Sequence, residues 1–591
     1  MTIIVIATIL AALAIPHRVG TGISIESIGF LDEGFVLYNA FSLAHSWPDI
    51  SIEKQWWGYL HYSPLFPFLM AGILKAAAIV VNIPPEAWRA HIDFFVIVGR
   101  TFGVAVFALG LYFLRECLHL VCAKRRSSAL ALACYVSTVG PLHVASVIRV
   151  EGVILTSFII LIWTILVTPP VPRLKGWLLI SSVAALTIGF EVYGMIPVAV
   201  ILFCRATDAL FSVYEESNSA KMVLINSVAI LLVAVWILLL AATLNIRIWL
   251  HPETYVDYSR AMTEFSIRRR WQTELMFNYG PNRTLFWMLI PLLEAHCFIA
   301  LWSLCMAIVG KARPLAELRW LLPACFLLCM CYGYIYASRT AGPYLLFPLI
   351  PIIFLIVARI CDHSGRWFQM AVIVAVCFGL LRVGILQISR GADHSNRQAV
   401  QYVLEHRDKG KALTIFDLGY MSSIYLVSQR TLDNFSNINP AWHQALPSQR
   451  IADTVTPLPP LWSIDDAGHL CSKLTESESL SLIQTVLNRD LDTYDIVIID
   501  DSFSWYDKYW SRKRSPELTG LWVELRNRLI HGRPVLFVTG AVGGRNFLQS
   551  SPFNPLYSMR IAGELLEWWT RPVPRGSPFG PKITVYGNAS N

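Results

Sequence analysis

The stretch IDFFVIVGRTFGVAVFALGLYFLRECLHLVCAKRR, residues 92–126, sets an apolar run at 92–114 ahead of the basic triplet Lys124-Arg125-Arg126. As a helix, a run of about 20 such residues crosses the roughly 30 Å hydrocarbon core of a bilayer. The triplet marks the end held on the cytoplasmic side. The rest of the chain repeats this pattern. Of its 591 residues, 55% are apolar and 15% are charged, against about 25% charged in ordinary soluble domains. Mean hydropathy is +0.52. This composition excludes a soluble globular enzyme. The net charge of +8 is sorted by loop rather than gathered on one face, so no nucleic-acid partner is expected.

Further apolar stretches fall at 128–145, 150–168, 176–190, 193–204, 222–246, 285–310, 319–337, 343–358 and 368–388. The N-terminal TIIVIATILAALAIP, residues 2–16, has the length of a signal-peptide core, and Ala12-Leu13-Ala14 resembles a cleavage site. No basic segment precedes it, and it is read as a retained first helix. The expected count is about eleven spans from a cytoplasmic N-terminus, although the two between 176 and 204 are short and read equally as one broken helix. This numbering puts Lys124-Arg125-Arg126, Arg173 with Lys175, Arg205 with Lys221, Lys311-Arg313-Arg319, and Arg359 with Arg366 in inner loops, so every inner loop is basic. The tail after Arg390 then lies outside. Within the first outer loop, PLFPFLMAGILKAAAIVV, residues 64–81, is apolar enough to cross. A crossing there would reverse every later loop, so this stretch is read as a helix in the outer interface, with Lys75 reaching towards headgroups.

The chain divides by composition into a transmembrane domain, 1–389, and an extracytoplasmic α/β domain, 390–591. In the tail, ALTIFDLG, YDIVIIDD, RPVLFVTG and KITVYGN are β-type runs, and SPELTGLWVELRNRLIHG is an amphipathic helix with a Ser-Pro start. Asp500-Asp501 reads first as a strand-terminal turn. Of twelve cysteines, only Cys471 sits in the polar tail, and the others pack in or beside apolar segments. No disulfide framework, zinc spacing, Walker loop or dinucleotide motif is present.

Ionisable groups at membrane depth are expensive and therefore mark candidate sites. Asp32 and Glu33 follow the first helix, His61 lies in YLHYSPLFP, and Arg149 and Glu151 open the fourth span in SVIRVEGVILTSF. Glu191 lies at the outer break in TIGFEVYGMIP, and Arg339 at the outer turn in YIYASRTAGPYLLFPLIP. All belong to one outer level. Adjacent carboxylates suit general-base work or a divalent cation. Arginines suit a phosphate, because the guanidinium offers two parallel donors at any relevant pH. Together these groups fit transfer of a group from a lipid-linked phosphate. Blander readings stay open: a helix-start pair for Arg149–Glu151, an interface anchor for Arg339, and solvated carboxylates for Glu191 and Asp32-Glu33.

The ordered set comprises a first helix, then Asp-Glu in the first outer loop, an H-x-x-P-L segment, an interfacial helix, R-x-E, and R…P-Y-x-L-x-P-x-x-P. It resembles the GT-C class of membrane glycosyltransferases, in particular the branch of protein mannosyltransferases and bacterial lipid A aminoarabinose transferases. The resemblance spans nearly the whole chain. It implies a polytopic α-helical membrane domain with interfacial helices in the first outer loop, followed by an outward α/β domain. It also implies a polyprenyl-phosphate-linked sugar donor, an acceptor on the outer face, surrounding membrane lipids, and a bacterial inner or plasma membrane. By the same resemblance, Asp32 is the catalytic base of an inverting transfer, and Glu33 orients the acceptor or holds a metal. Glu151 is the second acidic position. His61, Arg149 and Arg339 lie near the donor phosphate, and Tyr344 lines the pocket. It fixes no cofactor, and a divalent cation held by Asp32 and Glu33 stays open. One departure stands out, since relatives carry a T-K-G-P-like turn where this chain has Phe190-Glu191-Val192-Tyr193-Gly194. Glu191 in place of Lys removes a substrate contact and argues against an orthodox aminoarabinose transferase. Arg268-Arg269-Arg270, in an outer loop, is either a site for anionic headgroups and lipid phosphates, with Arg269 at its centre, or a solvated helix face. Two other classes compete. A transporter or flippase predicts related halves and midplane charges, and neither is evident. A non-catalytic scaffold displaying the tail predicts that the first-loop carboxylates are dispensable.

Overall fold

The computed structural model describes residues 1–15, 36, 40, 43–44, 65–169, 174–190, 194–217, 228, 235–237, 239, 320–338, 348–363, 365–391, 398, 402, 413–416, 455–457, 463–464, 470–471, 480–481, 484–485, 487–488, 496–500, 516–539 and 583–587. The apolar stretch 285–310 and most of 222–246 lie outside these residues. The helical part comprises α1 (Thr2–Ala12), α2 (Leu65–Val81), α3 (Ile92–Val121), α4 (Arg125–Val136), α5 (Val139–Ala145), α6 (Val150–Val167), α7 (Leu174–Phe190), α8 (Met195–Ser217), α9 (Leu321–Ser338), α10 (Leu349–His363) and α11 (Arg366–Gly391). Segments Phe94–Val121, Val150–Val167 and Met195–Val213 are long and apolar enough to cross a membrane. The chain is an integral membrane protein.

Helix α6 is apolar on every side, with buried residues all along Val150–Ile165, as a helix at the centre of a bundle must be. It packs most extensively on α3 and then on α7. Small residues on α3 permit the close approach. A Cβ at Gly103 would lie 2.7 Å from the Ala145 carbonyl oxygen, and one at Gly110 would lie 2.8 Å from Thr156 Oγ1. Thr156 Oγ1 in turn donates to the Val106 carbonyl at 3.1 Å. The Ala145 contact is with backbone, which cannot move aside without shifting α5. Gly103→Leu is therefore expected to destabilise the bundle by about 1–3 kcal/mol, read as a fall in thermal midpoint in detergent.

The stretch expected to lie in the outer interface is the helix α2. It buries Phe66, Met70, Ala71, Leu74 and Ala78 and leaves Lys75 exposed. Its end is written in the chain as Asn82-Ile83-Pro84-Pro85. Asn82 takes φ 58°, its N–H donates to the Ile79 carbonyl at 3.2 Å, and the Ile83 N–H reaches back to the Ala78 carbonyl at 2.9 Å. This is a Schellman stop, which asparagine tolerates. A 3₁₀ turn over Pro85–His91 then leads into α3.

Three expectations differ from the structure. The stretch 128–145 is not one helix but α4 and α5, separated at Ser137-Thr138. There Ser137 Oγ donates to the Cys134 carbonyl at 2.8 Å, and Thr138 Oγ1 donates to the Tyr135 carbonyl. Such local bonds compete with helix propagation. Helix α8 runs on to Ser217, well past the expected end at 204. Arg205 consequently lies inside a helix rather than in an inner loop. It is 4% exposed, paired with Asp208 Oδ2 at 2.9 Å and donating to the Pro169 carbonyl at 2.9 Å, and this local neutralisation makes its burial tolerable. Helix α10 runs on to His363, past the expected end at 358, so Arg359 lies in its last turns rather than in an inner loop.

Two loops expected on the inner side meet in space. Arg359 Nη1 donates to the Val121 carbonyl at 3.0 Å. The Asp362 carboxylate accepts the Ala123 N–H at 2.6 Å and the Lys124 N–H at 3.2 Å, and Lys124 Nζ donates to the Asp362 carbonyl. Asp362 is 3% exposed, so its loss strands two donors. Asp362→Ala is expected to destabilise by about 1–3 kcal/mol and to raise protease sensitivity at the α3–α4 turn.

In the tail, β1 (Leu413–Phe416), β2 (Val455–Pro457), β5 (Ile496–Asp500), β6 (Val535–Thr539) and β7 (Ile583–Tyr586) form a five-stranded sheet of order β2-β1-β5-β7-β6. Strands β3 (Ser463–Ile464) and β4 (Leu470–Cys471) form a separate pair. Strand β1 is parallel to β2 and β5, with Leu413 opposite Ile496, whereas β7 is antiparallel to β5 and β6. Helix α12 (Pro516–Ile530) connects β5 to β6 and buries Leu525 and Leu529. It is closed by Gly532 at φ 71°. Tyr402 stacks on Phe537 with ring centroids 4.5 Å apart. Each of the four β-type runs carries a strand. The short β2, β3 and β4 had no such signal.

Candidate functional site

The described part of the site starts at the N-terminus of α6. Arg149 is the N-cap residue, extended at φ −136° and ψ 145°, and Glu151 stands in the first helical turn. The R-x-E spacing thus places the two side chains across a helix start, where an acidic residue also complements the helix dipole. They meet fork to fork. Arg149 Nε donates to Glu151 Oε2 at 2.9 Å, and Nη2 donates to Oε1 at 2.5 Å. The Arg149 and Glu151 side chains are 7% and 17% exposed. A bidentate pair of this kind is stronger than a neutral hydrogen bond and fixes the plane of the guanidinium. Nε and Nη2 face Glu151, so Glu151 sets the direction in which the rest of Arg149 is presented.

The pair sits against a distinct apolar cluster. Ile148, Val150, Val153 and Ile154 share it with Val36, Ala40 and Leu43, with Phe66, Met70 and Leu74 of α2, with Phe95 and Val96 of α3, and with Phe190 at the end of α7. Val36, Ala40 and Leu43 follow a helical spacing and are all buried.

Of the expected site residues, Asp32, Glu33, His61, Glu191, Arg269, Arg339 and Tyr344 lie outside the described residues. Their sequence neighbours are informative. Val36 is three residues past Glu33, a reach of about 10 Å at full extension. Phe190 directly precedes Glu191, and Leu65, which packs on the same cluster, is four residues past His61. Ser338, the last residue of α9, directly precedes Arg339. Among the described residues no three His, Cys, Asp or Glu side chains stand together as a metal-binding group.

One residue at this end escaped the sequence reading. Arg100, on α3, is 0% exposed and is among the largest fully buried side chains. Its Nη1 donates to the Ile15 carbonyl at the end of α1, 3.0 Å away. The signal was present, because VIVGRTFGV places an arginine inside an apolar run, the same criterion that selected Arg149.

No family model and no curated protein matches the chain. Structural similarity to solved proteins extends over most of it. The crystal structure of ArnT from Cupriavidus metallidurans bound to undecaprenyl phosphate aligns with a TM-score of 0.40 at 9% identity, covering 86% of this chain and 95% of that one. The apo oligosaccharyltransferase of Archaeoglobus fulgidus aligns with a TM-score of 0.42 at 10% identity, covering 91% and 73%. The archaeal oligosaccharyltransferase AglB from the same organism, in complex with an inhibitory peptide and a dolichol-phosphate, aligns with a TM-score of 0.40 at 10% identity, covering 99% and 88%.

Proposed function

We propose that the chain is an inverting GT-C glycosyltransferase that moves a sugar from a polyprenyl-phosphate donor to an acceptor on the outer face of a bacterial inner or plasma membrane. The observation that carries this reading is the buried Arg149–Glu151 pair, seated on the apolar cluster that also holds Val36, three residues past Glu33. In this reading the membrane domain, 1–389, has about eleven spans by the basic pattern of its inner loops. The α/β domain, 390–591, faces outside with the site.

Each residue has one task. Asp32 takes the proton from the acceptor as its oxygen or nitrogen attacks the anomeric carbon. The bond from that carbon to the phosphate oxygen breaks on the opposite face, which inverts the centre and releases polyprenyl phosphate. Negative charge growing on the leaving phosphate is met by Arg149, Arg339 and His61, and Tyr344 lines the same pocket. Glu151 aims Arg149, and Glu33 orients the acceptor. A divalent cation held by Asp32 and Glu33 would supply further positive charge near the acceptor. Glu191 sets sugar preference, and Arg269 draws anionic lipid to the outer surface.

The test uses the full chain in proteoliposomes with radiolabelled polyprenyl-phosphate sugars and cell-envelope extract as the acceptor source. Label moving to acceptor, with stoichiometric release of polyprenyl phosphate, is the expected result. Movement of the labelled donor across the bilayer without any transfer would replace this reading with a transporter.

A further inference from the structure

We propose that Arg100 is a positioning residue for the transfer site, holding the end of α1 from which the segment carrying the first-loop carboxylates departs. This rests on the reading of Asp32 as the base. The chain leaves α1 through a turn at Leu13–Ile15, closed by bonds from the Leu13, Ala14 and Ile15 N–H groups back to Ile9, Ala11 and Ala12. Pro16 follows and brings no N–H. Ile15 lies three residues past the end of α1, and Arg100, 85 positions away, donates to its carbonyl at 3.0 Å with no solvent exposure of the arginine. A cation at a helix C-terminus also opposes the negative end of its dipole.

A guanidinium is costly to bury, and simple packing would be served by leucine at the same place. The identity of the residue is therefore informative. Gly99 beside it packs against Ile148, where a Cβ would lie 2.6 Å from the Ile148 Cδ1 atom. The turn of α3 that grips α1 thus also lies against the residue preceding Arg149. One turn earlier on α3, Phe95 and Val96 belong to the cluster that seats Val36, Ala40 and Leu43. Of the two flanks of the segment 16–35, Ile15 is thus bonded to one turn of α3, and Val36 belongs to the apolar cluster that the preceding turn joins. Asp32 and Glu33 belong to that segment by sequence. The Ile15 anchor is polar and directional, and in this proposal it fixes where the segment starts.

The experiment compares the full-length protein with Arg100→Gln, in nanodiscs, by amide hydrogen exchange and by steady-state transfer from a polyprenyl-phosphate sugar. Loss of this charge-assisted bond is expected to speed exchange at residues 13–15 by about tenfold or more. It is also expected to lower kcat per folded protein by about tenfold, with the donor KM within about twofold. Unchanged exchange at 13–15 would overturn the anchoring. Faster exchange with unchanged kcat, or a rise in KM alone, would overturn the positioning role. If Arg100→Gln does not fold, Arg100→Lys serves instead, because it keeps the charge but loses the planar fork. It should show a partial loss in both readouts, and wild-type values in both would overturn the proposal. A wild-type protein that transfers no sugar refutes the functional reading, while the exchange readout still reports on the anchor by itself.

Discussion

Asp32→Asn is expected to abolish sugar transfer, by about 10²–10⁴-fold, which is the usual contribution of a general base. The substitution is isosteric, but the amide cannot accept the acceptor's proton, so the attacking oxygen or nitrogen stays protonated. Folding should be preserved. Val36, Ala40 and Leu43, which seat the following segment, are apolar and buried, and none of their packing depends on the charge at position 32. The thermal midpoint and the gel-filtration profile of Asp32→Asn should therefore match the wild type, while label transfer disappears. Glu33→Gln should lose less, since orienting an acceptor is a smaller contribution than taking its proton. Full transfer by Asp32→Asn would remove Asp32 as the base. It would leave Glu33 as the nearest alternative, or a scaffold role if both substitutions were silent.

The second large effect concerns the Arg149–Glu151 pair. Arg149→Leu removes the guanidinium fork from the Glu151 carboxylate, in a position only 17% exposed. Breaking a buried ion pair by removing one member costs about 3–5 kcal/mol, chiefly because the surviving charge remains desolvated. Replacing both members by apolar groups of similar volume is often near neutral. The double substitution Arg149→Leu with Glu151→Leu should thus recover most of the lost stability. Transfer should not return with it, because Arg149 then no longer meets the leaving phosphate beside Arg339 and His61. Arg149→Lys makes a finer distinction, since it keeps the charge but makes one point contact where the guanidinium makes two. It should fold well and transfer poorly. Recovery of both stability and transfer in the double variant would reduce the pair to a fastening of the α6 start, and the phosphate contact would have to be sought elsewhere.

Much of this architecture was legible in the chain, and the exceptions have identifiable causes. Helices α3 and α6 follow from unbroken apolar runs of crossing length. The four longer strands β1, β5, β6 and β7 follow from β-branched runs ended by Gly or Asp. The break between α4 and α5 was hidden because Ser137 and Thr138 are compatible with a helix by propensity. Only their hydroxyl bonds to Cys134 and Tyr135 reveal the interruption. Arg205 was misplaced because a basic residue near the end of an apolar run normally marks a loop. Asp208, three residues on, neutralises it inside the helix. Strands β2, β3 and β4 span only two or three residues each, too few for alternation to show.

The same division holds for the site. Composition and order alone determined that the chain crosses membranes, and they raised the expectation that Asp32, Glu33, His61, Arg149, Glu151, Glu191 and Arg339 share one outer level. Membrane crossing was legible because insertion energetics and loop charge act on residue type and spacing, whereas the order of Asp-Glu, R-x-E and R…P-Y carries a resemblance to GT-C glycosyltransferases and no more. Which of these groups touch was decided only by the tertiary structure. The fork between Arg149 and Glu151 depends on the extended backbone at a helix cap. The hold of Arg100 on Ile15 joins residues 85 positions apart, through an approach of α1 to α3 that no local pattern encodes. A buried charge announces itself in a sequence by its energetic cost, whereas its partner is set by how the helices pack.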